Sequence, residues 1–122
     1  MKQSTYDLAG VALDWAVTSI EEPNDLKYGV ENWLDRRLHE TRDGFFVHRY
    51  STVWAQGGEI IEREGMQLWK GGQWCASLDQ SFNPPEFSTG DTPLIAAMRC
   101  YVASKLGDTV DIPDELLTKE TV

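Results

Sequence analysis

Apolar residues recur with a helical period in three stretches of the chain, and between them the pattern changes to short runs broken by glycine and proline. Leu13, Ala16, Val17 and Ile20 fall at i, i+3, i+4 and i+7, with Ala9 and Ala12 extending the stripe backward. An amphipathic helix is therefore expected over about 5–20, with Thr5 as N-cap, Asp7 in the first turn and Pro23-Asn24 beyond its end. Gly10 weakens this helix and suggests close approach of another backbone. Val30, Trp33, Leu34 and Leu38 predict a shorter helix over about 29–40, with Glu31, Asp35, Arg36 and Arg37 on its solvated side. The strongest prediction runs from 92 to 106. Asp91 or Thr92 caps it, Pro93 takes the first turn, Gly107 ends it, and Leu94 to Leu106 are small or apolar around nearly the whole circumference. Such a helix belongs at the centre of a core.

Strand signals lie between the helices. Phe45 to Tyr50, after the Asp43-Gly44 loop, is aromatic and β-branched. Met66–Lys70 and Gln73–Leu78 flank Gly71-Gly72, a two-residue hairpin turn that would set Lys70 opposite Gln73 and Trp69 opposite Trp74 as a cross-strand pair. Gly57-Gly58 reads as a break before Glu59–Glu64, a segment that fits either one or two helical turns or the start of a strand. Residues 79–91 read as an irregular loop, Val110 and Ile112 alternate with polar residues, Pro113–Leu117 offers a last turn, and 118–122 reads as a loose tail. The expectation is one small α+β domain, with a central helix from the C-terminal half packed on a short antiparallel sheet that includes the Gly-Gly hairpin.

Charge narrows the functional classes. Twenty acidic residues oppose eleven basic ones, giving a net charge of −9, and the excess is spread along the chain. That field repels phosphate backbones and anionic lipid. The basic cluster Arg36, Arg37 and Arg42 is ringed by Glu31, Asp35, Glu40 and Asp43, so direct nucleic-acid binding is disfavoured. No uncharged apolar run approaches membrane-spanning length and the N-terminus lacks a signal-peptide pattern, which points to a cytoplasmic protein without membrane association. Cys75 and Cys100 sit in apolar company and read as small core residues, with no metal spacing.

Several residues carry chemistry worth weighing. Glu62 and Glu64 around Arg63, with His48 upstream, include the groups acid–base or metal chemistry uses. The carboxylates share a face only in a strand, and no HExxH or CxxC signature accompanies them. A solvated face is the plainer reading, and neither a catalytic residue nor a metal or other cofactor is assigned. His39 and His48 have no partner visible in the sequence. Gly57-Gly58 lacks the lysine of a phosphate clamp and reads as a turn. Arg99, inside the most apolar helix, needs a carboxylate partner, solvent or a ligand anion, and a structural salt bridge is the leading explanation. Of the five tryptophans, Trp15 and Trp33 fit core faces, whereas Trp54, Trp69 and Trp74 lie among polar residues, a mixture that fits either a recognition surface or core packing around the hairpin. The predicted binding set is Tyr50, Ser51, Thr52, Trp54, Gln56, Glu62, Arg63, Trp74 and Arg99.

The blocks Leu13-Asp14-Trp15-Ala16-Val17, Tyr50-Ser51-Thr52 followed by Trp54-Ala55-Gln56-Gly57-Gly58 and Ile60–Glu64, and Thr92–Val102 resemble, in that order, the NinX-like family of bacteriophage and prophage proteins. Val53 and Glu59 depart from the family pattern. The resemblance implies phage or prophage origin and action in the bacterial cytoplasm, and brings no catalytic residues. Together these readings favour a non-enzymatic accessory protein that binds a host or phage protein. A small-molecule binder or enzyme with a pocket around Arg99 and residues 50–64 is the second reading. An acidic DNA mimic that inhibits a host nucleic-acid-binding protein is the third.

Overall fold

The computed structural model describes residues 1–39, 48–79 and 86–117, without the side chains of Leu38 and His39. The helix read most strongly from the sequence is present as α4, Pro93–Leu106. Thr92 accepts a hydrogen bond from Ile95 N at 3.1 Å, and Gly107, at φ +95°, ends the helix. Ala96, Ala97, Met98 and Val102 have no exposed surface. The small residues let neighbours come close. A Cβ on Gly90 of the adjoining strand would stand 2.7 Å from Ala96 N, so only glycine fits there.

Among the described residues, two antiparallel sheets and three further helices accompany α4. Strand β1, Lys2–Ser4, pairs with β5, Thr109–Asp111. Strands β2, Gln67–Gly71, β3, Gln73–Ser77, and β4, Ser88–Gly90, form the other sheet in that order, and α4 packs on β3 and β4. The remaining helices are α1, Gly10–Glu21, α2, Val30–His39, and α3, Trp54–Glu64. Leu13, Ala16 and Val17 of α1, Trp33 of α2 and Ile60 of α3 meet Met98 and Val102 in one apolar cluster. The fold is α+β, as expected. Among the described residues no helix is long and apolar enough to cross a membrane.

Several local expectations are corrected. The first helix is interrupted: Thr5–Asp7 is a separate 3-10 turn whose N-cap is Ser4, and α1 begins only at Gly10. Gly10 takes φ +57°, a left-handed conformation that divides the apolar stripe, so its role is this bend at the helix start. Thr5 instead joins the far end of α4, its N and Oγ1 both donating to Asp108 O, at 2.8 and 3.1 Å.

Gly57 and Gly58 do not break the chain. They lie inside α3, and residue 57 must be glycine because a Cβ there would stand 2.2 Å from Tyr50 O and 2.7 Å from Leu94 Cδ2. The left-handed cap is Gly65, at φ +68°.

The hairpin exists with its register moved by one. Gly71 pairs with Gln73 around Gly72 at φ +92°, so Lys70 opposes Trp74 and Trp69 opposes Cys75. A one-residue slip exchanges faces. The two tryptophans therefore do not pair: Trp69 meets Phe87 at 5.6 Å between ring centroids, and Lys70 Nζ lies 5.7 Å from the Trp74 ring centroid.

Strand β4 occupies part of the expected 79–91 loop. Of the strand expected over 45–50, residues 45–47 lie outside the described residues, and His48–Tyr50 are not in a strand. The Asp43-Gly44 loop and the 118–122 tail also lie outside them.

Candidate functional site

Asp14 stands on the apolar face of α1 and is wholly buried. A carboxylate there needs partners. Its Oδ2 lies 2.8 Å from Arg37 Nη1 of α2, and its Oδ1 accepts from Ser51 N at 2.9 Å. Burial raises the Asp14 pKa, and the Arg37 charge with the Ser51 hydrogen bonds offsets part of that rise. Arg37 also donates to His48 O at 2.6 Å and lies over the Trp33 ring, 5.5 Å from its centroid. Trp33 meets Trp15 edge-on at 5.3 Å and stacks against His48 at 6.4 Å, and Tyr50 stacks against the same imidazole at 6.0 Å. The connection continues to α3, because Arg49 N donates to Gln56 Oε1 at 2.8 Å. Trp33 Nε1, His48 Nε2 and Ser51 Oγ are buried without an aligned hydrogen-bond partner among the described residues.

Asp25, within a 3-10 turn over Pro23–Leu26, and Glu22, its N-cap, lie beside this cluster. One ligand atom from each of Glu22, Asp25 and His48 lies within 4.8 Å of the other two. Tyr50 OH donates to Glu22 Oε2 at 3.2 Å, and burial with the Glu22 charge pushes the Tyr50 pKa well above its usual value.

The predicted binding set divides among four places. Tyr50, Ser51, Thr52, Trp54 and Gln56 come together around the first turn of α3. Tyr50 and Ser51 are buried, Thr52 is open to solvent, and Trp54 is 55% exposed. The Trp54 ring lies against Gly58, where a Cβ would stand 3.3 Å from Trp54 Cε3. Arg63 lies roughly 14 Å farther along the helix, nine residues on. It ties three helices, donating to Glu21 at 2.6 and 3.1 Å, to Glu64 at 3.1 Å and to Tyr101 OH at 3.1 Å. Tyr101 OH in turn donates to Glu21 Oε2. Burial by itself raises the Glu21 pKa, but the Arg63 and Tyr101 hydrogen bonds outweigh it and hold Glu21 below its ordinary value. Glu62 is exposed, and helical spacing points it away from Glu64.

Trp74 sits in the sheet beneath Lys70. Arg99 departs from the expected salt bridge: its Nε donates to Leu8 O at 2.6 Å and its Nη1 to Thr89 O at 2.8 Å, joining α4 to the segment before α1 and to β4. Burial lowers its pKa. Both of these Arg99 hydrogen bonds go to elements other than α3 and the segment before it. A cavity of about 250 Å³ lies elsewhere, lined in part by Ser77, Leu78, Phe87, Cys100 and Asp108.

The sequence reading missed Asp14, Glu22, Asp25 and Arg37, and left His48 without a partner. Asp14 had a visible signal, a charge in an apolar stripe. The others did not, because their partners are distant in sequence.

The family model described as Bacteriophage P22, NinX matches residues 4–105. That span contains the whole predicted binding set together with Asp14, Glu22, Asp25, Arg37 and His48. No curated protein sequence matches the chain. With most of its length matched by that one model, the chain belongs to the bacteriophage P22 NinX family.

Proposed function

We propose that this phage protein is a non-enzymatic accessory module that binds a host or phage component through the surface around Tyr50–Gln56. The observation that supports the reading is Trp54, 55% exposed on the first turn of α3, while Trp33 is buried and Trp15, Trp69 and Trp74 are partly covered. A large aromatic ring laid against Gly58 offers apolar contact area that is already ordered. Thr52 beside it supplies a hydroxyl, and Gln56 supplies amide hydrogens while its oxygen holds Arg49 N. Arg63, Arg99 and Trp74 already hold parts of the fold together, so they contribute to this surface less than the predicted set supposed.

The test is affinity capture from phage-infected host lysate, with wild-type protein and Trp54→Ala side by side, followed by calorimetry on the captured component. Trp54→Ala is expected to weaken binding by about 1–3 kcal/mol. Unchanged capture and affinity for that variant, with binding lost instead on altering the Glu21–Arg63 end of α3, would move the site away from Trp54.

A further inference from the structure

We infer that Glu22, Asp25 and His48 form a binding site for one divalent first-row transition-metal ion. Their ligand atoms lie within 4.8 Å of one another. Ligand atoms about 2.1 Å from one metal ion stand roughly 3–4.2 Å apart, depending on the coordination geometry, so a rotation of the exposed Glu22 side chain would close the set.

The independent sign of a ligand is His48 itself. The residue is only 7% exposed, and its Nε2 is buried without an aligned hydrogen-bond partner among the described residues. Asp25 Oδ2 is 2.9 Å away, yet the imidazole N–H direction does not run to that oxygen. Two groups that crowd one point without bonding each other well are placed as co-ligands are placed. A simple His–Asp pair would align the N–H with the carboxylate.

The surroundings fix each donor. Trp33 and Tyr50 lie nearly parallel to the imidazole, at interplanar angles of 8° and 14°, and Arg37 holds the His48 carbonyl at 2.6 Å. Tyr50 OH donates to Glu22 Oε2, and the Asp25 carbonyl accepts from Arg36 Nη2 at 2.7 Å. Outer groups that orient ligands in this way are a regular part of metal sites. One imidazole nitrogen with two carboxylates suits Zn²⁺, Co²⁺ or Mn²⁺, and the two negative charges match the ion. Positions left open would hold water. The bound ion would clip the Pro23–Leu26 turn to the segment that leads into α3.

The experiment uses the full chain, freed of any affinity tag and stripped with chelator, titrated with Zn²⁺ by calorimetry and with Co²⁺ by visible absorption. One ion per chain is expected, with a cobalt ligand-field spectrum. Glu22→Gln, Asp25→Asn and His48→Gln should each weaken Zn²⁺ binding by roughly tenfold or more. Asp111→Asn, on exposed β5, should leave it unchanged. If His48→Gln does not fold, the exposed Glu22 position still decides. Absence of saturable binding, or wild-type affinity in both Glu22→Gln and Asp25→Asn, overturns the site. Because the readout is ion binding, the outcome is independent of whether Trp54 contacts a partner.

Discussion

The two ends of α3 carry polar clusters of opposite character. At the C-terminal end, Glu21, Arg63, Tyr101, Glu64 and Lys105 bond one another, and Arg63 remains about half exposed. At the N-terminal end, Asp14, Arg37, His48 and Ser51 are buried, and Ser51 Oγ and His48 Nε2 have no aligned partner among the described residues. The first cluster is complete, so it explains itself as a tie between α1, α3 and α4. The second places costly desolvated groups beside an exposed tryptophan and two further carboxylates, an arrangement that packing alone does not require.

The largest expected effect breaks the buried cluster. Asp14→Ala leaves the Arg37 guanidinium buried without its carboxylate and Ser51 N without its acceptor. A loss of about 3–5 kcal/mol in urea unfolding is expected. A loss below about 1 kcal/mol would show that water reaches Arg37 freely.

Next comes the joint between Tyr50 and α3. Gly57→Ala gains helix propensity, but its methyl must displace the Tyr50 backbone, so a net cost of about 1–3 kcal/mol is expected by thermal unfolding. An increase in stability would mean that the 48–53 segment moves aside easily.

The partnered end should respond less. Arg63→Ala removes a half-exposed network and should cost about 1 kcal/mol or less. Its signature is in pH. Glu21 has a folded pKa held below the ordinary 4.5, so its stabilisation is present above that value and is lost as pH falls through the depressed one. Asp14 is raised above the ordinary 3.8, so its linkage has the opposite sign, with stability present below 3.8 and lost as pH rises through the raised value. Urea unfolding of Glu21→Gln and Asp14→Asn across the acid range should therefore give differences from wild type with opposite slopes. Equal slopes would mean that the two carboxylates sit in similar environments.

How much of this was legible in the sequence depends on how local the cause is. Helix α4 carries its own cap, proline start and glycine stop, and was readable to within a residue. The three-residue strands β1 and β4 have too little pattern to be read, since each exists only through a partner strand. Gly57 and Gly58 misled because a glycine needed for close approach and one needed for a turn look alike in sequence. The hairpin register failed on one residue, Gly71, which joins the strand. Around the candidate site, the aromatic and polar mixture at Tyr50–Gln56 was visible. The triad of Glu22, Asp25 and His48 was not, because a 3-10 turn and a distant histidine leave no fixed spacing. Arg99 was rightly read as needing a partner, and what it found were two backbone carbonyls.

The smallest effect on folding should come from the residue most open beside the buried cluster. Thr52 is exposed, and its hydroxyl makes no hydrogen bond among the described residues, while its backbone N–H donates to Arg49 O at 3.1 Å. Thr52→Ala keeps that backbone bond. Its stability should stay within about 0.5 kcal/mol of wild type, as for surface positions that bear no structural duty. If the surface around Trp54 receives a partner, the same variant removes a hydrogen-bonding group next to the aromatic anchor and should lower affinity measurably while the melting temperature stays put. That separation of binding from folding is the contrast expected between the two ends of α3. A Thr52→Ala protein that loses stability by more than about 1 kcal/mol would instead make Thr52 part of the structural joint, leaving Trp54 as the main contact to test on that surface.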